Sequence, residues 1–331
     1  MRLRGFGKTR APEFPPNLSW LNSEPLTMKS LRGKPVLIDI WTYSCVNCLR
    51  TLPHIKRWHE EYGKRGLTVI GVHSPEFAFE KERANVEKAI EAYDVAYPVV
   101  IDNDFAVWNA YANRYWPHVF LIDAAGSIIY DHVGEGGVTE TELAIQGALK
   151  AIGVEDLPAI PPDGTEGAGK CYRTTPEIYL GYLRGHIGNA HDKLPDTEEA
   201  YDDAVEHVEA VPYLHGHWQI GAEHVEHTRA LAAATEYLSL MYSAFGVNVV
   251  MGSTDGKEKT LTITIDGKPV PETMAGADCV VDDHGVTHVH VQEHRMYTIV
   301  NADHYHSGTL RIAVKESGIQ LFALTFGGCK S

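Results

Sequence analysis

The sequence predicts an α/β domain followed by an all-β antiparallel sandwich of the jelly-roll kind. Three observations lead to this prediction. Short apolar runs alternate with segments of helical period between Lys34 and Gly153, whereas apolar and polar residues alternate one by one after about Ala234. Between these regions lies the segment "VEDLPAIPPDGTEGAGK", which is dense in proline, glycine and acidic residues.

The first region has the element order of βαβ units followed by a hairpin and a helix. It opens with the buried strand "PVLIDIW" and the helix "VNCLRTLPHIKRWHEEYG", whose apolar residues fall on one side. The strand "LTVIGVHS" and the helix "FEKERANVEKAIEAYD" come next. The remaining predicted elements are the strand "YPVVID", a short helix near "FAVWNAYAN", the strands "HVFLID" and "IIYDHVG", and a helix from about Thr139 to Ile152.

The second region has the alternation of antiparallel strands. The run "LTITIDGK" alternates Leu261, Ile263 and Ile265 with threonines and ends in Asp-Gly, which is a hairpin signal. Further strand candidates are "EYLSLMYSAFGVNVVMG", "GVTHVHVQEH", "GTLRIAVKESG" and "IQLFALTFGG". The predicted organisation is an N-terminal tail at residues 1–16, the α/β domain at 17–155, a linker at 156–170 and the all-β domain at 171–331.

Charge is distributed unevenly between the two regions. Through Glu155 there are 17 Lys+Arg and 19 Asp+Glu, a net of −2, and the remainder has 12 against 25, a net of −13, which together give −15. Such an acidic second half disfavours binding to nucleic acid or an anionic membrane. No run approaches the roughly 20 apolar residues of a membrane-spanning helix, and no secretory signal is evident. If the chain is complete, this predicts a cytoplasmic protein.

The cysteines Cys45 and Cys48 form a Cys-x-x-Cys pair where a predicted strand meets a predicted helix. A structural zinc site normally requires four ligands, often two such pairs, and the sequence has no second pair. Redox chemistry requires a thiolate with a second thiol within reach, which this spacing provides. The helix N-terminus favours an anion at Cys45, whereas Cys48, one turn on, is expected to be more buried. We therefore predict a redox-active Cys45–Cys48 pair that needs no metal or other cofactor.

Residues 17–153 resemble the thioredoxin fold, in the redoxin group that includes TlpA-like and ResA-like thiol–disulfide oxidoreductases. The resemblance rests on the Cys-x-x-Cys pair and on positions around it in the motifs "VHSPE" and "YWPHVFLID". These positions correspond to a buried carboxylate, the kink of the active-site helix, a carboxylate near the active site and a cis-proline segment; they are Asp39, Pro53, Glu76, Trp116 and Pro117.

A closer likeness covers nearly the whole chain. The stretches "WTYSCVNCLRTLP", "GVHSPEFAFEKE", "IDNDFAVWNAY" and "YWP" resemble the soluble C-terminal part of DipZ-type proteins, which are membrane electron carriers related to DsbD and CcdA. In that family a jelly roll similar to carbohydrate-binding modules follows the redox domain, and "TPEIYLGY", "VNVVMG" and "LFALTFG" resemble its landmarks. The likeness implies an extracytoplasmic location as an alternative to the cytoplasm.

The predicted chemistry is thiol–disulfide exchange. Cys45 is the expected nucleophile and Cys48 the expected resolving thiol. The resemblance implies that Asp39 or Glu76 exchanges protons with Cys48, since burial raises the pKa of a carboxyl group. Hydrogen-bonded or helix-entry acids without a catalytic role are the alternative for both.

Substrate contacts are predicted for aromatic residues beside the dithiol. The resemblance implies a cis Trp116–Pro117 bond, with the Trp116 backbone pairing with a substrate strand. Trp41 and Tyr43 are predicted to wall the cleft, although strand aromatics are often core residues.

The second region raises two further possibilities. His288 and His290 project from one face of a predicted strand, but the spacing of a cupin-like metal site is absent, so we predict no metal. Cys171 and Cys329 stand near the two ends of the region, and they are expected either to pair in an oxidising compartment or to remain two buried thiols.

The leading prediction is an enzyme that reduces protein disulfides. A peroxiredoxin-like peroxidase is an alternative, but its Pro-x-x-x-Thr-x-x-Cys signature is absent. A second alternative is a protein that binds a glycan or a protein partner through the β-sandwich, with a secondary redox domain. The expected partners are a disulfide-bearing protein, a CcdA/DsbD-type membrane electron donor or a thioredoxin, and possible glycan; nucleic acid is not expected.

Overall fold

The structure, a computed structural model, describes residues 9–161, 171–203 and 206–329. The chain divides into two compact units, Met1–Glu166 and Gly167–Ser331. The division falls within the predicted linker, of which residues 162–170 lie outside the described residues. No helix within the described residues is long and apolar enough to cross a membrane.

The first unit is an α/β domain built on one mixed sheet. Its elements in chain order are β1 (Ser19–Leu21), β2 (Val36–Trp41), α1 (Val46–Gly63), β3 (Thr68–His73), a 3-10 turn (Ala78–Lys81), α2 (Arg83–Ala92), β4 (Val99–Ile101), α3 (Ala106–Ala110), β5 (His118–Ile122), β6 (Ile128–Val133) and α4 (Val138–Lys150). The strand order is β1-β4-β3-β2-β5-β6, in which β2, β3 and β4 are parallel and the other pairings are antiparallel.

The central strand β2 explains why its sequence is almost entirely apolar. All six of its residues are buried, because the strand has neighbours on both edges and core layers on both faces. Ile38 and Ile40 belong to one layer, whereas Leu37 and Trp41 face the layer that includes helix α1. The alternation places Asp39 on the α1 side, beneath the start of that helix.

The segment before β1 packs onto the first unit. Phe14 is 5% exposed and belongs to the same core layer as Ile38, and the Ala11 N–H donates a 3.0 Å hydrogen bond to the Gly126 carbonyl. An aromatic anchor and a backbone pairing therefore hold residues 9–16 of the predicted N-terminal tail against the sheet.

The second unit is an all-β antiparallel domain. Its elements are β7 (Ile178–Tyr179), β8 (Glu198–Tyr201), β9 (Pro212–Ile220), β10 (Val225–His227), β11 (Glu236–Ser253), β12 (Lys259–Ile265), β13 (Lys268–Pro269), a 3-10 turn (Glu272–Met274), β14 (Cys279–Val281), β15 (Thr287–Val291), β16 (Arg295–Val314) and β17 (Ile319–Gly327). The described strands form one sheet in the order β14-β15-β12-β16-β11-β17-β10-β9-β8, with β13 on β12 and β7 on β17. The predicted all-β class is confirmed, and jelly-roll connectivity stays a prediction.

Strand β11 organises this unit because it pairs with three other strands. Its first part pairs with β9, its second part pairs with β17, and β16 runs along its other edge with register shifts near Gly246. Since β17 also pairs with β10 and β10 with β9, the pairing of these four strands closes on itself. The enclosed core is apolar and includes Trp218 and Tyr297.

Two local features of the second unit follow from its sequence. Asp266 and Gly267 join β12 to β13 with φ values of 51° and 72°, as the predicted Asp-Gly hairpin requires. Cys171 and Cys329 form a disulfide that joins the two ends of the unit. Of the two alternatives left open for these cysteines, the structure shows the bonded one.

Candidate active site

Cys45 and Cys48 occupy the first turn of helix α1 in different environments. Cys45 is the N-cap residue, and its Sγ accepts a hydrogen bond of 3.3 Å from the Cys48 backbone N–H. Both are free thiols, Cys45 partly exposed and Cys48 only 3% exposed. The pair therefore has an outer sulfur that a substrate can reach and an inner sulfur that is shielded from solvent.

The inner thiol is strongly held in its protonated form. Burial raises the pKa of Cys48 well above its usual value, and the hydrogen bond and charge of the neighbouring Cys45 raise it further. The Asp39 carboxylate acts in the same direction, whereas a backbone contact at Thr42 opposes these effects. Cys48 must therefore lose its proton to a nearby base before it can attack.

Asp39 is a buried carboxyl group with the properties of such a base. It is 2% exposed, and its Oδ1 has no hydrogen-bond partner among the described residues. Burial raises the pKa of Asp39 to about 7. A carboxyl group with this pKa can both accept and release a proton near neutral pH. The proton-transfer role of Asp39 stays a prediction.

The predicted cis peptide bond between Trp116 and Pro117 is present. The Trp116 indole N–H donates a 2.9 Å hydrogen bond to the Ser74 carbonyl, and its ring packs on Trp108 with centroids 4.3 Å apart. Trp116 remains partly exposed and Pro117 is buried. A substrate role for these residues stays a prediction.

Trp41 and Tyr43 have a different place from the predicted cleft walls. They are 1% and 2% exposed, respectively, and both pack against the buried His73, Trp41 edge-on and Tyr43 stacked. Because a substrate cannot reach side chains buried to this degree, their contribution is to the core beneath the dithiol. The prediction of direct substrate contact is corrected accordingly.

Sequence reasoning missed the buried carboxylate of Glu80. Its Oε1 accepts hydrogen bonds from the Ser44 hydroxyl at 2.6 Å and the Ser44 N–H at 3.3 Å. Its Oε2 accepts from the Phe77 N–H at 3.0 Å and from the Glu76 N–H. Glu80 therefore joins the loop that precedes Cys45 to the loop that follows β3. The available sequence signal was weak: a glutamate three residues after Phe77, the spacing with which Glu bonds back to a helix N-cap.

Glu76, the carboxylate that the sequence singled out, lies beside Glu80. It is partly exposed, and its charge contributes to raising the pKa of Glu80. The interactions that shift the pKa of Cys48 come from Cys45, Thr42 and Asp39. A proton-transfer role for Glu76 stays a prediction.

A third buried carboxylate, Asp102, supports the same region. It accepts hydrogen bonds from the Val107 and Trp108 N–H groups at 2.9 and 2.8 Å, at the start of α3, and from the Ser74 hydroxyl at 3.2 Å. Trp108 in turn packs on Trp116. Asp102 thereby fixes the short helix that backs the cis-proline segment.

The histidines considered for metal binding make pairwise contacts. His288 Nε2 lies 3.1 Å from Asp282 Oδ2, and His290 Nδ1 lies 3.5 Å from Glu258 Oε1. Within residues 9–161, 171–203 and 206–329, no three His, Cys, Asp or Glu side chains are arranged to hold a metal ion.

Two known protein families match separate parts of the chain. Residues 8–147 match the redoxin family, and residues 175–327 match the family described as a thioredoxin like C-terminal domain. The dithiol, Asp39 and the cis Trp116–Pro117 bond all lie within the stretch that matches the redoxin family. Proteins named as thiol-disulfide oxidoreductases are among those similar to this stretch.

Three known proteins are similar to this chain or to part of it. Protein DipZ of Mycobacterium bovis is 35% identical over 324 residues, which cover 96% of this chain and 43% of DipZ. The thiol-disulfide oxidoreductase ResA of Halalkalibacterium halodurans is 32% identical over 120 residues, 36% of this chain and 64% of ResA. A solved thioredoxin-like protein in the oxidized form is 27% identical, with a TM-score of 0.41, over 44% of this chain and 97% of that one. The chain thus spans less than half the length of DipZ.

Proposed function

We propose that this protein reduces disulfide bonds of protein substrates, with Cys45 as nucleophile and Cys48 as resolving thiol. The observation that carries the proposal is the asymmetry of the two sulfurs: Cys45 is accessible and accepts an N–H at a helix N-terminus, whereas Cys48 is buried beside the charge of Asp39. A helix N-terminus stabilises negative charge that develops on sulfur, which suits the attacking and leaving roles of Cys45.

The exchange moves two electrons in two steps. The Cys45 thiolate attacks one sulfur of the substrate disulfide, which forms a Cys45–substrate disulfide and releases the other substrate sulfur as a thiolate that takes up a proton. Cys48 then gives its proton to Asp39 and attacks Cys45 Sγ. The second substrate thiolate leaves and is protonated, and the Cys45–Cys48 disulfide remains on the protein.

A dithiol donor must restore the reduced protein after each cycle. The similarity to DipZ over 96% of the chain supports a membrane electron donor of the DipZ type as the source of these electrons. Thioredoxin is the alternative donor of the same chemistry. Either donor attacks the enzyme disulfide at the exposed sulfur of Cys45.

The test is reduction of insulin disulfides by the full chain with dithiothreitol as donor. The wild-type chain should accelerate the precipitation of reduced insulin over dithiothreitol alone, and a Cys45→Ser/Cys48→Ser chain should not. A Cys279→Ser chain is the matched control, since Cys279 is a partly buried thiol of the other unit whose pKa burial raises to about 11. Equal rates for the wild type and the double variant would refute the proposal.

A further inference from the structure

The side chain of Glu80 is fully buried, and its carboxylate accepts four hydrogen bonds from Ser44, Glu76 and Phe77. Two backbone N–H groups on Oε2, and an N–H and a hydroxyl on Oε1, together match the acceptor capacity of an ionised carboxylate. Burial raises the pKa of Glu80 to about 7, against the hydrogen bonds from Ser44 and Thr42. Burying a carboxylate costs free energy, so we expect Glu80 to have a role beyond packing.

Through Oε1, Glu80 holds the residue that precedes Cys45. Ser44 is 2% exposed, and both its N–H and its hydroxyl donate to Glu80 Oε1. The next residue is Cys45, whose Sγ already accepts the Cys48 N–H at the start of α1. Glu80 therefore fixes the peptide unit immediately before Cys45, which lies at the N-terminus of α1.

The other side reaches the loop that supports the cis-proline segment. Glu80 Oε2 accepts the N–H groups of Glu76 and Phe77, which follow Ser74 closely in the chain. The Ser74 carbonyl in turn accepts the indole N–H of Trp116 at 2.9 Å. A single carboxylate thus spans from the residue before Cys45 to the loop that holds Trp116.

We propose that Glu80 is a positioning residue of the redox centre, which holds Cys45 where its sulfur can close a disulfide ring with Cys48. The proposal deepens the thiol–disulfide exchange proposed above and rests on it. Fixing the reacting groups raises their effective concentration, whereas releasing the loop makes ring closure entropically more costly. Loss of the carboxylate should therefore weaken the Cys45–Cys48 disulfide relative to the dithiol.

The experiment measures the equilibrium of the full chain with reduced and oxidised glutathione. Glu80→Gln replaces one acceptor oxygen with an NH₂ group that faces N–H donors, so one half of the bridge is lost. Ser44→Ala removes only the 2.6 Å hydroxyl bond and tests the same bridge without disturbing the carboxylate. Glu142→Gln is the matched control, because Glu142 is a fully buried carboxylate of the same unit that bonds to Arg57 and Tyr62.

We expect the equilibrium constant for forming the Cys45–Cys48 disulfide to fall about tenfold in Glu80→Gln and roughly threefold in Ser44→Ala. Glu142→Gln should leave it within about twofold, even though it lowers the melting temperature. Wild-type equilibrium constants in a folded Glu80→Gln chain would overturn the proposal; if that chain does not fold, wild-type constants in Ser44→Ala would do so.

The glutathione equilibrium is independent of substrate turnover, which separates the two proposals. A wild-type chain that forms its disulfide but fails to reduce insulin contradicts the proposed function and leaves the role of Glu80 intact. A wild-type chain that reduces insulin, with an unchanged glutathione equilibrium in Glu80→Gln and Ser44→Ala, contradicts the role of Glu80 alone.

Discussion

The backbone N–H of Cys48 donates a 3.3 Å hydrogen bond to the sulfur of Cys45, so the proposed resolving residue also stabilises the proposed nucleophile. The relationship exists because Cys45 is the N-cap of α1 and Cys48 is three residues further along the first turn. The same turn buries Cys48 above Asp39 in the core layer, which separates the two sulfurs into an accessible one and a shielded one.

Asp39 should make the first unit less stable as pH rises. Its pKa is about 7 in the folded chain against an ordinary value of 3.8, so between these pH values the folded state holds a proton that the unfolded state has lost. This destabilisation is absent below pH 3.8. It lowers the unfolding free energy by about 4 kcal/mol above pH 7, at roughly 1.4 kcal/mol for each pKa unit.

Urea denaturation of Asp39→Asn at pH 4 and pH 8 measures this effect. Wild type should lose more unfolding free energy between these pH values than the variant does. Glu80, whose pKa is raised to about 7 as well, contributes in the same direction, so the variant keeps part of the loss. An identical pH dependence for both chains would show that Asp39 does not titrate in this range.

Asp39 should also set the pH dependence of the resolving step. If it takes the Cys48 proton, the release of substrate from the Cys45 mixed disulfide should accelerate as pH rises through about 7, where Asp39 ionises. In Asp39→Asn the release should slow by roughly 100-fold at pH 7, and it should recover only at a pH that ionises the Cys48 thiol itself. Stopped-flow release of a preformed mixed disulfide with a fluorescent peptide gives the rate. A variant with the wild-type profile would remove Asp39 from the proton path.

The features that depend on local residue patterns were predictable from the sequence. Helix α1, the strands β2 and β3 and the hairpin at Asp266-Gly267 were predictable, because periodicity and turn residues are local properties. The placement of Cys45 and Cys48 followed from the strand-to-helix junction. The resemblance to redoxins rested on the motifs around the dithiol, and residues 8–147 match that family. The all-β class of the second half, predicted from alternating residues, is confirmed.

The errors arose where burial depends on contacts distant in sequence. The segment from 198 to 227 contains β8, β9 and β10, but its acidic residues and histidines obscure the alternation of strands. Trp41 was predicted to face a cleft but is buried. Strand alternation gives the face of the sheet on which a side chain lies, and it does not show what covers that face. Glu80 was read as part of a helix, since its partners Ser44 and Phe77 meet only in the folded chain.

The Cys171–Cys329 disulfide should be the main covalent support of the second unit. It closes a sequence separation of 158 residues, and a loop of this length gives a chain-entropy contribution of about 5 kcal/mol, of which measured disulfides commonly deliver 2–5. Cys171→Ser/Cys329→Ser should therefore lower the unfolding free energy of this unit by about 2–5 kcal/mol. Hydrogen exchange of the β11 and β16 amides measures the change, with Cys279→Ser as control. Unchanged protection in the double variant would contradict this account.

The central claim is the division of labour between the two sulfurs, and trapping of mixed disulfides tests it most directly. Reduced Cys48→Ser and Cys45→Ser chains are incubated with a disulfide-bearing protein, quenched with an alkylating agent and separated without reductant. Cys48→Ser should accumulate a covalent complex through Cys45 that a reductant releases, because the resolving thiol is missing. Cys45→Ser should accumulate none, since the remaining thiol is only 3% exposed. A complex that forms with Cys45→Ser and not with Cys48→Ser would reverse the roles and contradict the account.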